Sequence, residues 1–159
     1  MADSAGPMVS GVDIRDLAGC TCLRLRRVAR RATQIYDHML APAGLTVTQL
    51  GLLGHLYGAL LQTGEGLSIG ALAERLGMDP TTLNRNLKPI EAGGLAESGP
   101  GPRDRRVRTV RLTEKGRVKL HEAAPLWRQA QDQVNRQLGM ETTLALNGLL
   151  DLSAAKLAA

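Results

Sequence analysis

The sequence predicts a mainly α-helical chain carrying one small β-hairpin. Three observations carry that prediction. Apolar residues recur at helical spacing, in segments opened by Thr, Ser or Asp and closed by Gly or Pro. Two short β-prone runs, around Leu95 to Ser98 and Val107 to Leu112, flank one tip rich in Gly, Pro and Arg. A short helix ending at Gly77 stands directly before another that starts at Asp79-Pro80.

Residues Met1 to about Gly11 are small and polar, and predict a mobile tail ahead of one domain over residues 12–159. Ile14, Leu17, Leu25, Val28, Ala32, Ile35 and Met39 then mark a long amphipathic helix, stopped by Ala41-Pro42-Ala43-Gly44. Thr46-Val47-Thr48-Gln49 has the form of a capping box, so a second helix runs from there to about Leu61. Ser68 caps a short third helix with Ile69, Leu72, Ala73 and Leu76 inward. Asp79 caps the fourth, with Pro80 at N1, where its missing N–H costs nothing. Leu83, Leu87 and Ile90 form the buried face of that helix, and Gly93-Gly94 end it. Pro89 lies inside the pattern and predicts a bend or weakening there. After the hairpin, Thr113 caps a long helix to about Leu138, Gly139 breaks it, and an apolar helix runs from about Glu141 to Leu157.

This order is that of a winged helix-turn-helix lobe, residues 46–112, between terminal helices over 12–40 and 113–159. Leu144, Leu146, Leu149, Leu150, Leu152 and Leu157 need a partner surface, and dimerisation through both termini supplies one.

Composition bounds the partner. The 159 residues carry a net charge of +5, with 43% apolar, 22% charged and only 2% aromatic residues. The apolar share excludes a disordered chain, and two cysteines exclude a disulfide scaffold. No apolar run approaches the roughly 20 residues of a membrane helix, and the start lacks the pattern of a signal peptide. The expectation is a cytoplasmic protein with no membrane partner. The basic balance suggests a polyanion. One Trp, two Tyr and no Phe cannot build a base-stacking platform, so double-stranded DNA is favoured over single strands.

With Leu83, Leu87 and Ile90 inward, the fourth helix turns Thr81, Asn84, Arg85 and Lys88 outward. Arg can bond guanine, Asn adenine, and Thr can touch a thymine methyl. An ordinary solvated face would also carry these residue types, but the preceding helix and turn favour groove reading. The hairpin carries Arg103, Arg105, Arg106, Arg108 and Arg111 against a single acid, Asp104. Such a run repels itself unless an anion lies close, which suits a wing on DNA phosphates with Arg106 in the minor groove. Asp104 is expected to orient a neighbouring Arg.

Asp104-Arg105-Arg106, followed by Leu112-Thr113-Glu114-Lys115-Gly116, resembles the wing signature of the MarR family of bacterial transcription regulators. Leu67-Ser68-Ile69-Gly70-Ala71-Leu72-Ala73-Glu74-Arg75-Leu76 resembles that family's first helix-turn-helix element, and Thr81-Thr82-Leu83-Asn84-Arg85 its recognition helix. The resemblance covers the chain after the tail. It implies a homodimer on a pseudo-palindromic operator, a repressor released by a small aromatic or amphipathic ligand or by thiol oxidation. It adds Ser68 and Thr82 to the expected DNA contacts. Pro89 and the scarcity of aromatics depart from the commoner pattern.

Gly51, Gly54 and Gly58 share one face of the second helix. They mark either a close helix contact or, with His55, Tyr57 and Arg27 or Arg31, a pocket for an aromatic carboxylate. Cys20 and Cys22 lie two apart, about 200° around a regular helix, so one helix does not aim both at one metal; no metal or cofactor is expected. Two buried apolar cysteines are the plainer reading. Cys22 also falls where the peroxide-sensing branch of the resembled family has its reactive thiol, and Tyr36 where that branch has a Tyr, with Arg26 in place of a second Tyr. Cys22 and Tyr36 are about 21 Å apart along one helix and can meet only across subunits. A thiol enzyme would need a placed base or an anion-binding loop, and none appears. A module for protein association alone has no need of a basic wing.

Overall fold

The computed structural model describes residues 8–9, 11–102 and 104–158. Two two-residue strands, β1 (Met8–Val9) and β2 (Val12–Asp13), pair antiparallel. Most of the expected tail lies outside the described residues. The long first helix is divided: α1 spans Ile14–Leu17 and α2 spans Thr21–Leu40. The break is a turn in which the Gly19 N–H donates to the Asp16 carbonyl and the Cys20 N–H to the Leu17 carbonyl. A 3-10 turn at Ala41–Ala43 follows, and Gly44 at φ 68° carries the left-handed step that a Cβ would resist.

Helix α3 (Val47–Thr63) opens with the full capping box: the Thr46 hydroxyl accepts from the Gln49 N–H and the Gln49 side chain from the Thr46 N–H. Asp37 of α2 accepts from the Val47 N–H at 2.7 Å, so a further orphan donor of that first turn is satisfied. A short strand, β3 (Leu67–Ser68), leads into α4 (Ile69–Leu76) and then α5 (Pro80–Ala92). Ser68 and Asp79 cap these two helices through the Ala71 and Thr82 amides, and Gly77 ends α4 at φ 59°. Strands β4 (Ala96–Pro100) and β5 (Arg108–Leu112) form the hairpin. β3 joins β5 on its other side, with Leu67 opposite Val110, so the sheet order is β3-β5-β4, all antiparallel. β3 escapes sequence reading because two residues show no period.

Helices α6 (Glu114–Leu138) and α7 (Met140–Leu157) complete the chain, with Gly139 at φ 80° between them. The core lies where α3, α4, α5 and the sheet meet. Leu52, Leu53, Leu56, Leu72, Leu83, Leu87, Ile90 and Val110 are all buried there, with Leu40 arriving from α2. Each is worth about 1.5–3 kcal/mol of transfer free energy. The terminal helices differ. Leu23, Leu25, Val28, Leu144, Leu149, Leu150 and Leu152 are exposed in the protomer. No single helix among the described residues is long and apolar enough to cross a membrane.

Candidate nucleic-acid interface

The exposed side of α5 carries Thr81, Arg85 and Lys88, while Leu83, Leu87 and Ile90 face the core. The Asp79 cap fixes where this helix begins. Hydrogen bonds from Thr82, side chain first and then backbone, hold the Asp79 carboxyl below the usual range. Thr82 is half-buried. Ser68 is also half-buried, and its hydroxyl is used in capping α4.

The hairpin tip closes through Gly101 N–H to Val107 O at 2.7 Å and Val107 N–H to Asp104 O at 3.1 Å. Asp104 Oδ1 accepts from the Arg106 N–H at 2.9 Å and from its Nε at 3.4 Å. The Arg106 side chain is 93% exposed, so this pairing orients the guanidinium without covering it. Arg105 is exposed too, and Arg103 lies outside the described residues. Val107, just ahead of β5, is exposed, and the buried side chains of the strand are Val110 and Leu112.

Two of the expected DNA contacts, Asn84 of α5 and Arg108 of the wing, are engaged with each other. Arg108 Nη1 donates to Asn84 Oδ1 at 3.1 Å, and Nη2 donates to the Glu91 carboxylate at 3.0 and 3.3 Å. Asn84 Nδ2 donates to the Pro80 carbonyl at 2.8 Å, and the Ser98 hydroxyl donates to Glu91. Arg111 pairs with Glu97 at 2.8 Å. Glu91, a residue sequence reasoning passed over, therefore ties the wing to α5. It stands seven residues from Asn84, on one helix face, and that spacing was the available signal.

The base of the wing is fastened to α6. Thr113 caps α6 through the Gly116 N–H and donates its hydroxyl to the Gly94 carbonyl at 2.7 Å. Lys115 Nζ donates to the Gly93 carbonyl at 2.7 Å. A Cβ on Gly116 would overlap the Leu95 carbonyl oxygen, which explains glycine after Leu112-Thr113-Glu114-Lys115.

A cavity of about 520 Å³ lies between α3 and α6, lined by Gly51, Gly54, His55, Gly58 and Gln62, with Arg75 of α4 and Trp127 of α6. A Cβ on any of the three glycines meets nothing within 4 Å, so they do not mark a close helix crossing within the protomer. His55 Nδ1 lies 2.8 Å from the Gly51 carbonyl, which makes that nitrogen the donor of the bond. Arg27 and Arg31 do not line this space, and Tyr57 instead packs on the core, edge-on to His121. A second space of about 620 Å³, lined by Leu25, Val28, Tyr36, Val134, Leu146 and Leu150 among others, opens between α2, α6 and α7.

The cysteines are not buried apolar residues: Cys22 is exposed and Cys20 half-buried. Cys20 precedes α2 rather than lying in its regular turns. Tyr36 donates its hydroxyl to Gln131 Oε1 at 2.6 Å, and burial raises its pKa; within the protomer it does not serve the Cys22 thiol. No cluster of three or more metal-ligating side chains occurs among the described residues.

A helix-turn-helix with an exposed polar helix face, an antiparallel wing and long terminal helices defines a winged-helix DNA-binding protein. A family model described as the MarR family matches residues 43–107. The chain is 36% identical to the M. tuberculosis transcriptional regulator MosR, over 88% of this chain and 97% of that one, with a TM-score of 0.72. MosR in complex with DNA matches at 35% identity, 86% and 97% coverage and a TM-score of 0.70. Among curated proteins, the HTH-type transcriptional regulator PetP of Rhodobacter capsulatus is 34% identical over 86 residues, 54% of this chain and 52% of PetP. The chain thus spans about half the length of the curated relatives it matches. The chain belongs to the MarR family of DNA-binding transcription regulators; the relatives are regulators, not enzymes.

Proposed function

We propose that the chain is a cytoplasmic, homodimeric repressor that reads a pseudo-palindromic operator in double-stranded DNA and is released by a small aromatic or amphipathic ligand. The observation that carries the reading is the joining of the wing to the exposed face of α5 through Arg108, which presents groove-reading and phosphate-binding cations as one surface. In this reading residues 46–112 form the DNA-binding lobe, and 12–40 and 113–159 the dimerisation helices. Arg85 reads a base, with Thr81 and Thr82 beside it. Lys88, Arg103 and Arg105 bind phosphates, Ser68 presents the start of α4 to the backbone, and Arg106 enters the minor groove. The exposed leucines of α2 and α7 support a partner subunit. The cavity along the α3 glycines, with Arg75 and Trp127 at its walls, supports a planar carboxylate as ligand.

Duplex binding measured against salt tests this. Affinity should fall by orders of magnitude between about 50 and 200 mM salt, and Arg106→Ala should lower the slope. Arg85→Ala should cost about 1–3 kcal/mol on a selected duplex and little on random DNA. A flat salt response refutes the reading.

Redox control through Cys22 is a second reading, favoured by the exposure of that thiol. Cumene hydroperoxide should then weaken DNA binding by the wild type and not by Cys22→Ser. Equal responses count against it.

A further inference from the structure

Pro89 lies in the interior of α5. It supplies no N–H to the Arg85 carbonyl one turn earlier, and its ring crowds that carbonyl. The helix nevertheless runs from Pro80 to Ala92. The missing bond falls directly under Arg85 and Lys88, the two cations of the exposed face.

One side chain from outside the helix brackets this gap. Arg108, at the start of β5, donates from Nη1 to Asn84, which precedes the gap, and from Nη2 to Glu91, which follows it. Both acceptors are themselves held, Asn84 by the Pro80 carbonyl and Glu91 by the Ser98 hydroxyl of β4. They stand about two turns apart on one face. A planar fork with donors at fixed spacing suits this task, and a flexible ammonium does not.

We propose that Arg108 is a positioning residue, a splint across the Pro89 gap that keeps Arg85 and Lys88 in helical register and makes the reading helix depend on the wing. Asn84 and Arg108 then serve the geometry of the interface rather than touching bases or phosphates. The proposal rests on α5 being the reading helix, as argued above.

The test compares the wild type, Arg108→Gln, Arg108→Lys, Pro89→Ala and the Arg108→Gln/Pro89→Ala double variant. Amide hydrogen exchange over residues 85–93 of the free protein reads the splint without DNA. Affinity for a duplex selected from a random-sequence pool with the wild type, measured across salt, reads its consequence. Arg108→Gln should speed exchange in this segment by about tenfold or more. It should also weaken binding with the salt slope unchanged. Arg108→Lys should do nearly the same, and Pro89→Ala, which restores the missing N–H, should suppress most of both effects. Unchanged exchange in Arg108→Gln overturns the splint. A slope lowered by about one phosphate, with Arg108→Lys behaving as wild type and no rescue by Pro89→Ala, overturns it in favour of direct phosphate contact. Arg85→Ala separates the two layers: unchanged affinity there removes α5 as the reading helix, whatever the exchange rates show.

Discussion

Gly116 makes the fastening of wing to α6 quantitatively testable. In Gly116→Ala the new Cβ would stand 2.7 Å from Leu112 Cδ1 and 2.9 Å from the Leu95 carbonyl carbon, and would overlap the Leu95 oxygen. Two of these three atoms are backbone, so a rotamer change cannot relieve the clash. The first turn of α6 must shift away from β4, stretching the Thr113 N–H to Leu95 O bond, now 3.2 Å. Overpacking costs about 1–3 kcal/mol and the weakened bond about 0.5–1.5, against about 1 gained in helix propensity. The net is a destabilisation of about 0.5–3.5 kcal/mol. Gly54→Ala is the control: it lies within α3, meets nothing within 4 Å, and should stabilise by about 0.5–1 kcal/mol. Thermal melts at one fixed protomer concentration read both, at roughly 2–4 °C per kcal/mol. The same substitution should move Tm in opposite directions. A Gly116→Ala protein melting at or above the wild type would refute the close approach of α6 to Leu95.

The Asp79 carboxyl is held below its usual range by Thr82, so its stabilising cap is present above the unfolded carboxylate pKa and lost as pH falls through the folded value. Wild-type stability should therefore decline below about pH 4, and Asp79→Asn, which keeps the cap, should flatten that part of the urea-denaturation profile. Gly54→Leu should fill the α3 cavity, abolishing a melting shift by an aromatic carboxylate while apo DNA binding persists; a retained shift places the ligand elsewhere. Leu149→Glu on α7 should weaken self-association by about ten- to a hundredfold in sedimentation equilibrium if that exposed side chain is buried between subunits.

The helix starts were legible because caps are local chemistry. Thr46 with Gln49, Ser68 with Ala71, Asp79 with Thr82 and Thr113 with Gly116 each act over three residues, within the reach of a sequence window. The inward faces of α4 and α5 were legible for the same reason, since one period places Leu72, Leu83, Leu87 and Ile90. The division of the first helix was less so. Gly19 was visible, but the turn at Ala18–Cys20 competes with a helical pattern on both sides, and no strong cap marks it.

By itself, the sequence determined the order from α3 onward except for β3, the polar face of α5, the basic wing and the family resemblance, because each depends on residues near one another in the chain. Tertiary structure decided what those side chains touch. Arg108 meets Asn84 and Glu91 across 24 and 17 residues, Tyr36 meets Gln131 across 95, and Arg75 joins Trp127 at one cavity. The α3 glycines became a cavity wall rather than a helix crossing, and Gly116 a close backbone approach. Contacts of this kind depend on how separate elements pack, and a one-dimensional period carries no record of the distance between them.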